Sequence, residues 1–185
     1  MRFSERTVIL KDGRTCLLRP TAPDIAAEMV EYMKVTAGET EWLLRYPDEV
    51  NFTVESEKEI LSRLLDEPGH VMMAAVVDGK VAGNASISGI GSKRKILHRC
   101  SLAIALYRDY WGLGIGTAMI GYLTELAEQI GYRQMDLEVV AENVQAQALY
   151  RKCGFTESGR RVRALKFDDG SYHDEILMYK KLGET

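Results

Sequence analysis

The sequence predicts a mixed α/β fold in which helices flank one mostly antiparallel central sheet. Three Asp-Gly pairs, at positions 12–13, 78–79 and 169–170, each separate two runs of strand-forming residues, and this pattern is typical of β-hairpins. Other segments carry apolar residues at the 3.6-residue spacing of amphipathic helices. The order is hairpin, two helices, antiparallel strands, helix, strand, helix and hairpin, which favours a single sheet covered by helices.

The first part of the chain is predicted to contain one hairpin and two helices. Strands are expected at 7–10 and 15–19, around the turn Lys11-Asp12-Gly13-Arg14. A helix begins at Pro23-Asp24 and ends near Gly38, because Ile25, Met29, Tyr32 and Met33 recur at helical spacing. A second helix is expected from about 54 to 65.

The rest of the chain is predicted to contain six strands and two helices. A helix is expected from 115 to 130 and is ended by Gly131. A short helix should span 143–152. The six strands are expected at 71–77, 80–90, 96–106, 135–140, 155–167 and 172–182.

Length and composition point to one domain spanning residues 1–185. The chain has 185 residues, 46% of them hydrophobic, which suits one core better than two. A net charge of -3 argues against binding to nucleic acid. No signal peptide or membrane-spanning run is expected. The three cysteines lack paired spacing for a disulfide or a metal, as do the three histidines for a metal, so we expect a cytoplasmic protein without a metal.

A glycine-rich turn links a predicted strand to the helix that follows it. In Trp111-Gly112-Leu113-Gly114-Ile115-Gly116-Thr117, glycines leave successive N–H groups open to an anion at the start of a helix. A tight connection that needs glycine for its backbone angles explains the same glycines. No Lys-Ser or Lys-Thr follows, so a P-loop is excluded. A dinucleotide-binding fingerprint would need a further glycine where Met119 stands.

Two motifs together make the chain resemble the GCN5-related N-acetyltransferase (GNAT) superfamily. The turn at 111–116 resembles the acyl-CoA signature of that family, with Trp111 in place of the usual Gln or Arg. The segment 143–155 resembles its Asn-x-x-Ala-x-x-Leu-Tyr-x-Lys-x-Gly-Phe motif residue by residue. The resemblance implies a GNAT-like fold, acetyl-CoA as acetyl donor, and transfer of the acetyl group to an amine.

The resemblance also implies where acetyl-CoA binds. Its pantetheine arm is expected to enter where the strand ending at Leu106 parts from the strand at 135–140, and to pair with backbone at Ile104 and Leu106. A backbone N–H near Ile104 would hold the oxyanion. The expected cofactor-binding residues are Ile104, Ala105, Leu106, Gly112, Leu113, Gly114, Ile115, Gly116, Thr117, Asn143 and Tyr150.

Direct transfer needs a base that takes a proton from the amine, since a lysine-like amine has a pKa of about 10.4. Glu138 is the leading candidate, because some members of the resembled family carry a catalytic Glu five residues before the Asn. Asp136 is a weaker substitute on the same strand face. A solvent-facing carboxylate, or one paired with an arginine across the sheet, is the alternative interpretation of Glu138.

Tyr150 is the expected general acid, because a phenol with a pKa near 10 stays protonated at neutral pH and can protonate a departing thiolate. The alternative is a core aromatic residue. Cys153 offers a different route through an acetyl-enzyme, which is disfavoured because no histidine lies nearby in sequence.

The acceptor is expected to be a primary amine, with cationic amines as one class. Between Asp24 and Glu67 the chain has twelve acidic and four basic residues, and such a segment concentrates polyamines, aminoglycosides, lysine or peptide N-termini. Solvated helix faces explain the charges as well. A noncatalytic acyl-CoA sensor and a dinucleotide-binding oxidoreductase are the competing functions, and a homodimer is expected by family analogy.

Overall fold

The computed structural model describes residues 1–183, which form eight strands and four α-helices. The strands are β1 (Arg6–Ile9), β2 (Thr15–Pro20), β3 (Val71–Val77), β4 (Lys80–Gly89), β5 (Arg99–Leu106), β6 (Gln134–Val140), β7 (Thr156–Lys166) and β8 (Tyr172–Lys181). The helices are α1 (Ala26–Glu39), α2 (Val54–Asp66), α3 (Ile115–Ile130) and α4 (Val144–Lys152). Short 3₁₀ turns at Pro23–Ile25, Pro47–Glu49 and Arg108–Tyr110 connect some of them.

The sheet has the strand order β1-β2-β3-β4-β5-β6-β8-β7, and antiparallel pairings predominate in it. The mixed α/β fold with a mostly antiparallel sheet is therefore confirmed. The chain divides into two compact units. The first contains Met1–Ser88 and Ala103–Leu123, and the second contains Gly89–Leu102 and residues 124–183.

The first unit contains three antiparallel strand pairings, helices α1 and α2, and the first half of α3. β1 pairs with β2, β2 with β3, and β3 with β4. The apolar faces of α1 and α2 close over the sheet, and Met29, Leu61 and Ala74 are almost fully buried. Burial of such apolar area is the main source of stability for a unit of this kind.

The second unit contains the parallel pair of β5 and β6, followed by antiparallel pairs of β6 with β8 and β8 with β7. β5 and β6 pair from Arg99 with Gln134 to Ser101 with Asp136. Both strands continue past the last paired residues, β5 to Leu106 and β6 to Val140.

Most predicted elements are found within a few residues of their expected bounds, and the exceptions have local causes. The strand expected from 96 begins at Arg99, because turn hydrogen bonds from the N–H groups of Ile96 and Arg99 occupy the preceding segment. The helix expected from 143 begins at Val144, since Asn143 is its N-cap. No helix among residues 1–183 combines the length and apolar character needed to span a bilayer.

Candidate functional site

The glycine turn before α3 owes its glycines to backbone conformation. Gly112 has φ 76° and Gly114 has φ 98°, a region that is open to glycine and strained for other residues. A Cβ built on either residue would meet no atom within 4 Å, so space does not require glycine there. The two left-handed residues let the chain reverse directly into α3, whose first residue is Ile115.

The start of α3 offers backbone donors to an anion. The first helical hydrogen bond runs from the N–H of Ala118 to the carbonyl of Gly114. The N–H groups of Ile115, Gly116 and Thr117 precede it and have no carbonyl partner within the helix. The helix dipole adds about half a positive charge at this end. These donors can bind an anion such as a diphosphate, and the binding of acetyl-CoA by this turn stays a prediction.

Lys11 contacts the glycine turn from the β1–β2 hairpin, which sequence analysis did not predict. Its Nζ donates a hydrogen bond to the carbonyl of Gly112 at 2.9 Å, and its backbone N–H donates to the carbonyl of Leu113 at 3.2 Å. Two consecutive carbonyls of the turn thus have fixed partners outside it. From the sequence alone, Lys11 is identified only as a residue of the hairpin turn.

The end of β5 is held in place by three neighbours in the same unit. The Tyr32 hydroxyl donates to the carbonyl of Ala105 at 2.8 Å, and the N–H of Tyr107 donates to the carbonyl of Ala82 at 3.0 Å. β4 passes so close that a Cβ on Gly83 would lie 2.8 Å from the Ala105 carbonyl oxygen. A rigid strand end results, with its backbone groups at defined positions.

Trp111, which stands where the resembled family has Gln or Arg, binds the same strand end. Its Nε1 donates a hydrogen bond to the carbonyl of Leu106 at 3.0 Å. A carbonyl oxygen has two lone pairs, so Leu106 can accept a second bond. If pantetheine pairs with Leu106 through this carbonyl, it shares the carbonyl with the indole.

Tyr150 lies on α4 with 8% of its surface exposed and packs edge-to-face against Phe155. Burial raises the pKa of its phenol to about 12, and the nearby Cys153 adds to the rise. The phenol therefore stays protonated throughout the neutral range, as a general acid requires. The core-aromatic interpretation is compatible with the same burial, so the acid role stays a prediction.

Asn143 has a structural role at the start of α4. Its Oδ1 accepts a hydrogen bond from the N–H of Ala146 at 3.1 Å, which is the side-chain contact of an N-cap. Asn143 precedes the first helical residue, although the sequence predicts a helix that begins at 143. Its expected contact with acetyl-CoA stays a prediction.

Glu138 is ion-paired. Its Oε1 accepts from Nη2 of Arg161 at 2.8 Å, and about half of the carboxylate side chain is exposed. Nη1 of Arg161 also donates to Glu175. This is the arginine pairing across the sheet that the sequence left open as an alternative. The base role of Glu138 stays a prediction, and it requires the carboxylate to leave or share the arginine.

Asp136, the weaker candidate base, is bound more fully. Its Oδ2 accepts from Nε of Arg99 at 2.9 Å, and its Oδ1 accepts from Nε2 of Gln134 at 2.7 Å. Both oxygens of this carboxylate are therefore engaged, which leaves Glu138 as the more available of the two.

The three cysteines, Cys16, Cys100 and Cys153, are not joined in disulfides. Burial raises the pKa of Cys16 to about 11 and that of Cys100 to about 12. Neither buried residue supplies a thiolate at neutral pH. Within residues 1–183 no group of three His, Cys, Asp or Glu side chains could hold a metal ion.

Three glutamates act electrostatically on Tyr107, which directly follows β5. Burial raises the pKa of its phenol, and the charges of Glu31, Glu39 and Glu28 raise it further. These three glutamates lie on α1, within the acidic segment noted in the sequence. They place negative charge beside the rigid strand end in the same unit.

Comparisons with known proteins identify the family of this chain. The model of the Acetyltransferase (GNAT) family matches residues 36–155. A GNAT-family acetyltransferase from Streptococcus pneumoniae has a similar structure, with a TM-score of 0.85 and 27% identity over 91% of this chain and 99% of that one.

Two curated relatives differ in their named acceptors. Aminoglycoside N(6')-acetyltransferase type 1 of Stenotrophomonas maltophilia is 26% identical over 57% of this chain and 71% of its own length. The ribosomal protein bS18-alanine N-acetyltransferase of Escherichia coli K12 is 32% identical over 51% of this chain and 64% of its own length. The chain belongs to the GNAT family of acetyltransferases, a family that uses acetyl-CoA as its acetyl donor.

Proposed function

We propose that this enzyme transfers the acetyl group of acetyl-CoA to a primary amine of a small molecule or peptide, by direct attack in a ternary complex. The observation that carries the proposal is the pair of features in the first unit. A turn with two left-handed glycines opens N–H donors at the start of α3, and the end of β5 is fixed by Tyr32 and Trp111.

The first unit supplies the binding groups for the donor. N–H groups from Gly112 to Thr117 hold the diphosphate, and the backbone of Ile104, Ala105 and Leu106 pairs with the pantetheine arm. An N–H near Ile104 stabilises the oxyanion that forms during transfer, and such preorganised donors are worth about 3–4 kcal/mol in other enzymes. The contacts that fix the end of β5 favour this oxyanion role, because the N–H donor must already point at the oxygen when negative charge develops on it.

Tyr150 and Glu138 move the protons. In the transfer a C–N bond forms, the C–S bond of the thioester breaks, the amine loses a proton and the leaving sulfur gains one. The phenol of Tyr150, kept protonated by burial, protonates the sulfur. Glu138, directly or through water, takes the proton of the amine.

The acceptor that the charges favour is a cationic amine. Glu28, Glu31 and Glu39 act on Tyr107 at the end of β5, and the segment 24–67 has eight more acidic than basic residues. Such a field raises the local concentration of a cation. The two curated relatives act on an aminoglycoside and on an alanine of a ribosomal protein, which supports both small-molecule and peptide amines as test substrates.

We extend the proposal to the organisation of the protein. The whole chain acts as one acetyltransferase domain, which is supported by a family match that runs through residues of both units. The cysteines form no disulfide, which suits a reducing cytoplasm. The proposed homodimer is tested by sedimentation velocity.

A thiol-release assay tests the function. Acetyl-CoA is supplied with a panel of polyamines, aminoglycosides, amino acids and peptides, and free CoA is measured over time. We expect release that depends on the amine and is saturable in it. Binding of CoA without release for any amine would instead support the noncatalytic sensor, and absence of binding would contradict the donor site itself.

A further inference from the structure

We infer that Lys11, in the turn between β1 and β2, is a positioning residue that aims the donor groups of the glycine turn at the diphosphate of acetyl-CoA. The inference rests on the proposed diphosphate role of that turn. It starts from two contacts, the side-chain bond of Lys11 to the Gly112 carbonyl and its backbone bond to the Leu113 carbonyl.

Peptide geometry gives these contacts a consequence. In a trans peptide the carbonyl and the N–H of the same unit point in opposite directions, and this chain has no cis peptide among its described bonds. Holding the carbonyls of Gly112 and Leu113 toward Lys11 therefore turns the N–H groups of Leu113 and Gly114 to the opposite side. Those two donors then precede the free N–H groups at the start of α3.

The glycines of the turn make it flexible, so its orientation depends on contacts such as those with Lys11. Gly112 and Gly114 flank Leu113, and both adopt positive φ. Glycine has more accessible backbone conformations than any other residue, so an unsupported turn would sample many orientations of its donors. An ammonium bonded to a carbonyl is a charge-assisted contact and is stronger than a neutral one.

The hairpin turn that presents Lys11 is itself rigid. The N–H of Leu10 bonds to the Arg14 carbonyl at 2.8 Å, and the side chain of Asp12 binds the Arg14 guanidinium at 2.7 Å. Arg14 is also bound to Asp78 and lies over the ring of Tyr110. Because Asp12 is paired with Arg14, it does not compete for the Lys11 ammonium.

The test compares Lys11→Met with Lys11→Arg and with Lys80→Met, a matched change at an exposed lysine after the β3–β4 turn. Calorimetry measures binding of CoA and of dephospho-CoA, which keeps the diphosphate and lacks the 3′-phosphate. Kinetics compare acetyl-CoA with acetyl-pantetheine, which lacks the diphosphate. Thermal unfolding checks each fold.

We expect Lys11→Met to weaken CoA and dephospho-CoA binding by a similar factor, about ten-fold, as for loss of one charge-assisted bond. The kcat/KM for acetyl-pantetheine should be unchanged, and kcat with saturating acetyl-CoA should change little. Lys11→Arg should recover most of the affinity, since a guanidinium can donate to the same carbonyl. Lys80→Met should match the parent.

Three results would overturn the inference. CoA binding like the parent would show that Lys11 does not act on the turn. An equal loss with acetyl-pantetheine would point to a general structural effect. An effect on CoA that disappears with dephospho-CoA would assign Lys11 to the 3′-phosphate instead. If the parent protein itself does not bind CoA, the proposed function fails, and that result is distinct from these three.

Discussion

Tyr150 carries the clearest prediction about a single residue. Tyr150→Phe keeps the buried ring against Phe155 and removes the proton donor, so kcat should fall about ten-fold or more while CoA affinity stays nearly constant. Steady-state kinetics and calorimetry measure the two quantities. Tyr172→Phe, at a tyrosine with 46% exposure, is the control. Turnover equal to the parent would remove Tyr150 from the mechanism.

The raised pKa of Tyr150 also has a consequence for the pH profile. Burial raises it to about 12, so the phenol keeps its proton as pH rises through the ordinary tyrosine value of about 10. The kcat of the parent enzyme should therefore show no alkaline fall from Tyr150 up to about pH 10. A fall with a midpoint near 9 that Tyr150→Phe abolishes would contradict this environment.

A matched variant can distinguish the proposed base role of Glu138 from its ion pair with Arg161. Both Glu138 and Glu175 bind Arg161, so Glu175→Gln disturbs the same arginine without removing the candidate base. Glu138→Gln should depress the rate most at low pH, where hydroxide and water replace a base least effectively. Rates for both variants across the pH range provide the test, and identical profiles would assign proton removal to another group.

At the level of elements, the strongest prediction concerns the close approach of β4 and β5 at Gly83. A Cβ on Gly83 would lie 2.8 Å from the Ala105 carbonyl oxygen and 3.2 Å from the Leu106 Cα, and strand backbone cannot yield cheaply. Gly83→Ala should therefore lower the free energy of unfolding by about 1–3 kcal/mol and weaken CoA binding through displacement of β5. Denaturant unfolding and calorimetry measure these effects.

A glycine-to-alanine substitution within α3 should raise the free energy of unfolding instead of lowering it. Gly121 lies within α3, and a Cβ there meets no atom within 4 Å. Gly121→Ala should stabilise the protein by about 0.5–1 kcal/mol through helix propensity, with unchanged CoA affinity. If Gly83→Ala were equally harmless, the close approach would not constrain β5.

Glu57 gives a pH-dependent prediction for α2. It is 3% exposed in the first turn of that helix, and burial raises the pKa of its carboxyl from 4.5, opposed by the charge of Arg45. The folded protein thus holds this proton more tightly than the unfolded chain, so stability falls as pH rises above 4.5 through the raised value. The variant Glu57→Gln has no carboxyl to ionise at this position, so it should not show this fall in stability with rising pH.

Chemical unfolding at several pH values measures the difference. The stability of Glu57→Gln relative to the parent should increase from about pH 4 toward pH 7, by on the order of 1 kcal/mol. Glu55→Gln, at an exposed position of the same helical turn, should show no such trend. A constant difference across the range would show that Glu57 keeps its ordinary titration in the folded state.

Local sequence signals predicted the elements well and the site only in part. Asp-Gly turns and helical spacing located hairpins and helices because these depend on neighbouring residues. The contacts of Lys11 with Gly112 and of Tyr32 with Ala105 join positions 101 and 73 residues apart, and no local pattern encodes them. For Asn143 the structure adds a helix-capping contact, while its contact with the cofactor stays a prediction.

The charge distribution of the whole molecule leads to a prediction about the acceptor. The segment 24–67 has twelve acidic and four basic residues, while the full chain has a net charge of only -3. The residues outside this segment therefore carry a net positive charge, and the excess negative charge is concentrated in segment 24–67. Such a field attracts cations over a distance that salt shortens to about 8 Å at physiological ionic strength.

The KM for a polyamine should accordingly rise steeply with ionic strength, by about ten-fold between 20 and 300 mM salt. The KM for an amine that also carries a carboxylate should change much less, because its net charge is near zero. Initial rates with both acceptors at saturating acetyl-CoA separate this effect from salt effects on the donor. If the KM of both acceptors rises equally with salt, the acidic residues serve only as solvated surface residues of the helices. The acceptor would then be recognised by contacts other than charge.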